Sequence, residues 1–150
     1  MGRVERIWIK RGSGGPMDAA TAAQLVAGRG IVGNANQRGK RQITLLSAEH
    51  WTDITAHLGT LDPGARRANI LLSAVDLRQS RGKTLRLGLV RILIYGETRP
   101  CEQMEEACPG LRAALGVPWG GGAFGEVLDD GVITVGDPAN WEVEPFLPSA

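Results

Sequence analysis

The apolar residues of this chain fall in short runs that glycine repeatedly interrupts. Glycine accounts for 21 of the 150 residues, roughly twice its usual share of 7% in globular proteins. Tight turns accept glycine readily, because it adopts positive φ values without a steric penalty. Many short elements joined by tight turns favour a β-rich fold over one built from long helices.

The apolar runs predict about seven short strands. β-forming residues or alternating patterns mark the strands at 4–10, 42–46, 66–77, 85–95 and 124–135. The 85–95 segment reads as one broken strand or as two, with Gly88 as the bend. The last segment reads as a hairpin around the turn sequence Asp129-Asp130-Gly131. These strands predict a mainly β, barrel-like fold.

Three or four short helices are predicted between the strands. Residues 17–27 favour a helix by propensity, ended by Gly28. Ser47 can cap a second helix, and residues 102–115 are helical with a break at Pro109-Gly110. No linker or repeat divides the chain, so residues 1–150 are expected to form a single domain.

Charge is distributed unevenly along the chain. The formal net charge is only +1. Residues 29–99 carry twelve basic and five acidic groups, whereas residues 100–150 carry one basic and nine acidic groups. The basic middle either forms an anion-binding face or neutralises the acidic segment within the fold. Low net charge and few aromatic residues argue against nucleic-acid binding.

The sequence favours a cytoplasmic protein that does not enter the membrane. The first sixteen residues contain only a three-residue apolar patch amid charges, which does not suit a secretory signal. No apolar run approaches the roughly 20 residues that a membrane-spanning helix needs.

Cys101 is the residue whose local sequence is most suggestive of chemistry. It lies in GETRPCEQM, residues 96–104, where an apolar run ends and an acidic segment begins. A thiol at the start of a helix has its thiolate favoured, and Arg99 would act in the same direction. The alternative is packing, because a free cysteine behaves as a small hydrophobe. Cys108 is expected to be structural. If the segment is helical, the seven-residue step from Cys101 to Cys108 separates their Cα atoms by roughly 10.5 Å along the helix axis, which is too far for a disulfide between them.

Four stretches, taken in order, resemble the MOSC domain, a family named for the C-terminal domain of molybdenum cofactor sulfurases. The stretches are GRGIVGNANQRGKRQITLLSAEHW, RRANILLSAVDL, LRLGLVRILIYGETRPCEQM and GGAFGEVLDDGVITVGDP. The resemblance extends over about residues 4–143. It implies a barrel-like MOSC β-domain and a role in molybdenum cofactor chemistry, with Cys101 at the position of the family's cysteine.

The resemblance implies three functions. The first is a molybdenum-cofactor-dependent oxidoreductase that reduces N-hydroxylated bases or related N-oxygenated compounds, with Cys101 as molybdenum ligand and an external reductase as electron donor. The second is a sulfur carrier, in which Cys101 holds a persulfide received from a cysteine desulfurase. The third is a non-catalytic carrier or storage module for the cofactor. A barrel binding protein with a structural thiol is the remaining alternative. Pyridoxal phosphate is not expected, because no aminotransferase-like part is present.

The cofactor's pterin carries a phosphate, so the resemblance also implies an anion site. Matching by position makes Arg67 and Asn69 the first candidates, followed by Lys40, Arg41 and Arg99. Guanidinium groups bind phosphate oxygens bidentately, and asparagine can pair with the edge of a pterin. For each arginine, a surface salt bridge is the alternative role.

The sequence departs from the family pattern in three places. Asn34 and Asn36 stand where the first block usually has aspartate and histidine. Ala74 stands where the second block usually has glycine. One residue separates Arg67 from Asn69, where many members have the two adjacent. The loss of the aspartate puts a metal or pterin contact at that position in doubt.

Overall fold

The computed structural model of the chain describes residues 1–12, 15–35 and 39–143. Within these ranges the strands are β1 Gly2–Lys10, β2 Met17–Ala20, β3 Ala22–Val26, β4 Gly30–Ile31, β5 Ile43–Ser47, β6 Ile70–Ser73, β7 Thr84–Leu87, β8 Val90–Glu97, β9 Ala123–Val127, β10 Gly131–Thr134 and β11 Pro138–Trp141. The helices are α1 Ala48–Thr55, α2 Glu102–Ala107 and α3 Leu111–Ala114, with 3₁₀ turns at Ala56–Leu58 and Pro63–Arg66. The mainly β prediction is confirmed.

Seven strands close into a barrel. Their order is β11-β7-β8-β9-β5-β6-β1, and β1 pairs back with β11 through Gly2 opposite Ala139. β2 extends the sheet beyond β1, and β10, β3 and β4 form a separate three-stranded sheet. The prediction of a barrel-like domain with about seven strands and short helices is therefore confirmed.

Two apolar clusters fill the domain. The larger lies inside the barrel and consists mainly of aliphatic side chains. Along β8, buried Val90, Ile92 and Ile94 alternate with half-buried residues, as expected for a strand with one face in the core. The smaller cluster joins the helices to the outside of the barrel and includes Trp51 and Leu111. Each large side chain buried in these clusters contributes about 1.5–3 kcal/mol.

Several local predictions are confirmed. Ser47 caps α1, because its hydroxyl accepts a hydrogen bond from the His50 N–H at 3.2 Å. The 85–95 segment is two strands, β7 and β8, and Leu87 pairs with Val90 across a two-residue turn. Gly88 in that turn has φ +59°, a conformation that favours glycine. The 102–115 segment is α2 and α3, separated at Pro109-Gly110.

The helix predicted at 17–27 is wrong, because these residues form β2 and β3. Burial in β3 alternates: Ala23 and Leu25 are buried, whereas Ala22 and Gln24 are exposed. β2 pairs with β1, and β3 pairs with β10. The alanines raised the helix propensity of the segment, but pairing with distant strands outweighs an intrinsic preference of less than about 1 kcal/mol per residue.

The hairpin predicted at 124–135 is also wrong, although its turn is present. β9 pairs with β8 and β5 in the barrel, whereas β10 pairs with β3 in the second sheet. Asp129 binds β8 instead, accepting hydrogen bonds from the N–H, Nε and Nη2 of Arg91, each at 2.9 Å. The turn therefore carries the chain from one sheet to the other.

The Asp129–Arg91 pair predicts a loss of stability at acid pH. Hydrogen bonds from the Arg91 side chain lower the pKa of Asp129 from 3.8 to about 2. A carboxyl whose pKa is lower in the folded state stabilises the fold above its ordinary pKa, and that stabilisation is lost as the pH falls toward 2. Asp129→Asn is expected to lower the urea midpoint at pH 7 but to match the wild type near pH 2. An equal deficit at both pH values would show that ionisation of Asp129 is not what stabilises the turn.

Candidate functional site

A basic cleft opens where β1 ends and where β5 and β6 begin. It has a volume of about 380 Å³, and its lining includes Lys10, Arg41 and Arg67 together with Thr44 and Asn69. No acidic residue lines it within the part of the chain that the structure describes. The structure thus brings together three of the candidates predicted from sequence: Arg41, Arg67 and Asn69.

Positive charge is concentrated in this cleft. Burial lowers the pKa of Lys10, and the neighbouring charges of Arg67 and Arg41 lower it further, whereas Cys101 acts in the opposite direction. Arg67 adopts a left-handed conformation with φ 65° directly after the 3₁₀ turn Pro63–Arg66. Its Nη2 donates a hydrogen bond to the Gly15 carbonyl. The crowded cations favour binding of an anion, which would relieve their mutual repulsion.

Asn69 forms the wall of the cleft rather than a free contact. Asn69 is buried, with only 4% of its surface exposed. Its Oδ1 accepts hydrogen bonds from the Thr44 N–H at 3.0 Å and the Thr44 hydroxyl at 3.1 Å. Its Nδ2 donates to the Trp8 carbonyl at 3.1 Å and to Asn34 Oδ1 at 3.0 Å. Asn69 therefore ties β6 to β1 and β5, and its contact with a cofactor stays a prediction.

Asn34 occupies the position where the family usually has aspartate. Its Oδ1 also accepts a hydrogen bond from the Lys10 N–H at 2.7 Å, and its Nδ2 donates to the Ala35 carbonyl at 2.9 Å. The amide oxygen of Asn34 thus accepts hydrogen bonds that a carboxylate oxygen could also accept, but it adds no negative charge to the cleft. Asn36, the second departure, lies outside the described residues. Ala74, at the usual glycine position, adopts φ +55°, in the region that favours glycine.

Arg66 is a site residue that the sequence reasoning missed. It is only 4% exposed, and its Nε donates to the Gly121 carbonyl at 2.6 Å. Its buried Nη2 has no partner among the described residues. Burial, together with the charge of Arg41, lowers the pKa of Arg66 to about 10, and Cys101 acts in the opposite direction. An unpaired buried N–H costs about 1–3 kcal/mol, more when charged, so Arg66 favours a nearby anion.

Cys101 lies beside these cations at the start of α2. The residue is exposed and forms no disulfide. Its N–H contacts Met104 Sδ at 3.3 Å, and its Sγ lies 3.7 Å from the same sulfur atom. Met104 is buried, so it fixes the backbone that presents the thiol. Cys101 opposes the lowering of the pKa of both Lys10 and Arg66, so it lies within electrostatic range of both side chains. Cys108 is half-buried and packs against the helix cluster.

Two of the predicted residues do not line the basic cleft. Lys40 forms an ion pair with Glu126 at 3.0 Å and lies 5.6 Å from the ring centroid of Tyr95. The hydrogen bond to Glu126 raises the pKa of Lys40. Arg99 is exposed and lines a separate cleft together with Arg112. The sequence reasoning missed Lys10, which ends β1, because no local signal at a strand end indicates which cleft its side chain enters.

The described residues contain neither a cluster of metal-binding side chains nor a helix that could span a membrane. Across residues 1–12, 15–35 and 39–143, no group of three or more His, Cys, Asp or Glu side chains is arranged to hold a metal ion. Among the same residues, no helix has both the length and the apolar character to span a membrane.

Comparison with known proteins agrees with the fold. The family model described as MOSC domain matches residues 13–140. The YuaD protein from Bacillus subtilis has a similar structure, with a TM-score of 0.78 and 21% identity, over 93% of this chain and 94% of that one. YiiM from Geobacillus stearothermophilus gives 0.73 and 15%, over 97% and 77% of the two chains.

YiiM from Escherichia coli is also similar, with a TM-score of 0.68 and 13% identity, over 95% of this chain and 70% of that one. At these identities the structural similarity establishes a common fold and no more. No curated protein matches the sequence of this chain.

Proposed function

This chain belongs to the MOSC domain family, which is associated with the molybdenum cofactor, and we propose that it binds this cofactor and acts as an oxidoreductase. The proposed substrates are N-hydroxylated bases or related N-oxygenated compounds. The observation that carries the proposal is the basic cleft, which has no carboxylate in its lining among the described residues and whose Lys10 lies within electrostatic range of the exposed Cys101.

The residues of the cleft fit the cofactor. Small-molecule sites typically enclose about 300–1,000 Å³, and this cleft encloses about 380 Å³. Arg67, Arg41 and Lys10 would hold the terminal phosphate, because guanidinium and ammonium groups make charge-assisted hydrogen bonds to phosphate oxygens. Arg66, with a buried N–H that lacks a partner among the described residues, provides a further anion contact.

Cys101 is the proposed metal ligand. When bound, the cofactor would supply redox chemistry: two electrons from an external reductase and two protons would convert the N–OH group of the substrate to N–H and release water. The soft sulfur of Cys101 suits a metal already held by the sulfurs of the cofactor. Met104, packed behind Cys101, holds the thiol in a fixed direction.

The exposure of Cys101 supports a second candidate, a persulfide carrier. In that role the Cys101 thiolate attacks the outer sulfur of a persulfide on a cysteine desulfurase. The new S–S bond forms on Cys101 as the old one breaks and releases the thiolate of the desulfurase. An accessible thiol is required for this exchange, and the Cys101 residue is exposed.

Cofactor content tests the proposal. Protein purified from a molybdenum-competent host is expected to contain molybdenum and to release an oxidised pterin on acid treatment. Arg67→Ala should weaken cofactor binding by about 1.5–3 kcal/mol, the range for hydrogen bonds to charged groups, which corresponds to roughly 10- to 150-fold.

The matched control is Arg29→Ala, which removes an exposed arginine outside the basic cleft. Protein that acquires neither metal nor pterin when excess cofactor is supplied would refute cofactor binding. Unchanged retention by Arg67→Ala would mean that the phosphate lies elsewhere.

A further inference from the structure

A second cleft lies beside the Cys101 segment and is independent of the basic cleft. It encloses about 430 Å³ between the segment 97–100 and the connection that follows α3. We call it the arginine cleft, after Arg99 and Arg112, which both line it. Nothing in the function proposed above uses it.

The arginine cleft is placed to serve the chemistry at Cys101. Pro100, which lines it, directly precedes Cys101 in the chain. Thr98, which also lines it, donates its hydroxyl hydrogen bond to the Gly121 carbonyl. The same carbonyl accepts the Nε–H of Arg66. The Gly121 carbonyl therefore links Thr98, in the wall of the arginine cleft, to the buried Arg66 side chain.

Both arginines of this cleft are exposed to solvent. Neither side chain forms an ion pair or hydrogen bond with another described residue, and both residues are exposed. Arg112 is the only basic residue in positions 100–150, which contain nine acidic residues. Glu97 also lines the cleft, but its Oε2 accepts a hydrogen bond from the Trp119 N–H at 2.6 Å. Within the part of the chain that the structure describes, the cleft therefore offers two cations without a partner and one carboxylate that already accepts a backbone hydrogen bond.

The remaining lining is largely apolar. Leu115 is fully buried at its base, and Val117 is 43% exposed at its rim, where Pro118 and Pro100 also lie. Apolar surface next to free guanidinium groups suits a molecule with an anionic group at one end and an apolar or ring-shaped body.

We propose that the arginine cleft binds the substrate of the Cys101 site, and that this substrate carries a carboxylate or phosphate group next to an apolar or aromatic body. Arg99 and Arg112 select the anionic group, and the Leu115–Val117 surface contacts the body. That the bound anion is a substrate of the Cys101 site rests on the proposed function, whereas the binding of such an anion by this cleft does not.

The test is NMR titration of the cofactor-free full chain, labelled with ¹⁵N, with benzoate, phenyl phosphate and neutral benzamide as probes. Benzoate or phenyl phosphate is expected to shift the amide signals of residues 97–100 and 112–118 saturably. Benzamide should bind at least about tenfold more weakly, because it lacks the charge that forms charge-assisted hydrogen bonds. The tighter of the two anions identifies the group that the cleft prefers.

Variants locate the binding. Arg99→Ala and Arg112→Ala should each weaken binding of the preferred anion by about tenfold or more, and both should keep the dispersed spectrum of a folded protein because the replaced side chains are exposed. Arg29→Ala, which removes an exposed arginine outside both clefts, should leave the shifts of residues 97–100 and 112–118 as in the wild type. The proposal is overturned if benzamide binds as tightly as the anions. It is also overturned if the shifts centre on Lys10 and Arg41 and vanish in Arg67→Ala, or if no probe gives saturable shifts.

The two proposals fail separately. Absence of molybdenum and pterin would refute the proposed function without changing the titration, because the titration uses cofactor-free protein. Loss of anion preference at Arg99 and Arg112 would refute the arginine cleft without affecting cofactor retention in the basic cleft.

Discussion

Replacing Cys101 by serine is expected to abolish reductase activity of the cofactor-loaded protein while leaving its free energy of unfolding nearly unchanged. Serine is almost isosteric with cysteine, and Cys101 is exposed, so little packing is lost. Its hydroxyl is a hard donor that stays protonated at neutral pH and replaces the soft thiolate poorly. Reduction of an N-hydroxylated base and urea denaturation measure the two effects. Cys108→Ser is the matched control and should keep full activity.

Thiol labelling gives a readout that does not depend on activity. In cofactor-free protein, Cys101 should alkylate faster than Cys108, because it is the exposed thiol and lies near Lys10 and Arg66. Loading with cofactor should protect Cys101. A persulfide carrier would instead gain about 32 Da on Cys101 after exposure to a cysteine desulfurase. Faster alkylation of Cys108, or full activity in Cys101→Ser, would mean that Cys101 serves only in packing.

Gly122→Ala is expected to lower the free energy of unfolding by at least about 3 kcal/mol. Gly122 has φ +94°, and a Cβ placed on it would lie 2.1 Å from the Leu45 carbonyl oxygen, where backbone must shift. Backbone strain of this kind costs about 1–3 kcal/mol, and overpacking adds about 1–3 kcal/mol. The residue also accepts a hydrogen bond from the Thr98 N–H at 2.9 Å, so the shift would reach the wall of the arginine cleft.

Gly28→Ala is the control for this prediction. Gly28 has φ +74°, but a Cβ placed on it would meet no atom within 4 Å. Its replacement should therefore cost only the strain of a positive φ, about 1 kcal/mol. Chemical denaturation of both variants separates the two contributions. Equal losses in Gly122→Ala and Gly28→Ala would show that the close approach to Leu45 is not the source of the destabilisation.

The fold was predictable where local pattern and tertiary pairing agree. The alternation along β8, the two-residue turn at Gly88 and the Ser47 cap are all encoded within a few positions. The predictions at 17–27 and 124–135 failed because the partners of those residues are distant. Leu25 pairs with Ile31 on one side and Gly131 on the other, and no local preference of Leu25 itself specifies the second of these.

The site was predictable in part for the same reason. The start of α2 at Cys101 followed from the local sequence, and Arg41, Arg67 and Asn69 followed from the resemblance of whole blocks to a family. Contacts with residues far along the chain decide which lysine lines the basic cleft. Lys40 forms an ion pair with Glu126 instead, whereas Lys10 lines the cleft. The burial of Arg66 depends on Gly121, and only the folded barrel brings the two together.

Closure of the barrel by β1 and β11 has a consequence for synthesis on the ribosome. Gly2 in β1 lies opposite Ala139 in β11, so the barrel cannot close until β11 has been synthesised. Until β11 emerges, the start of β1 and one edge of β7 are unpaired, and unpaired strand edges can pair with other chains. A nascent chain halted just before residue 138 would therefore carry nearly the whole domain and still be open to aggregation at its seam.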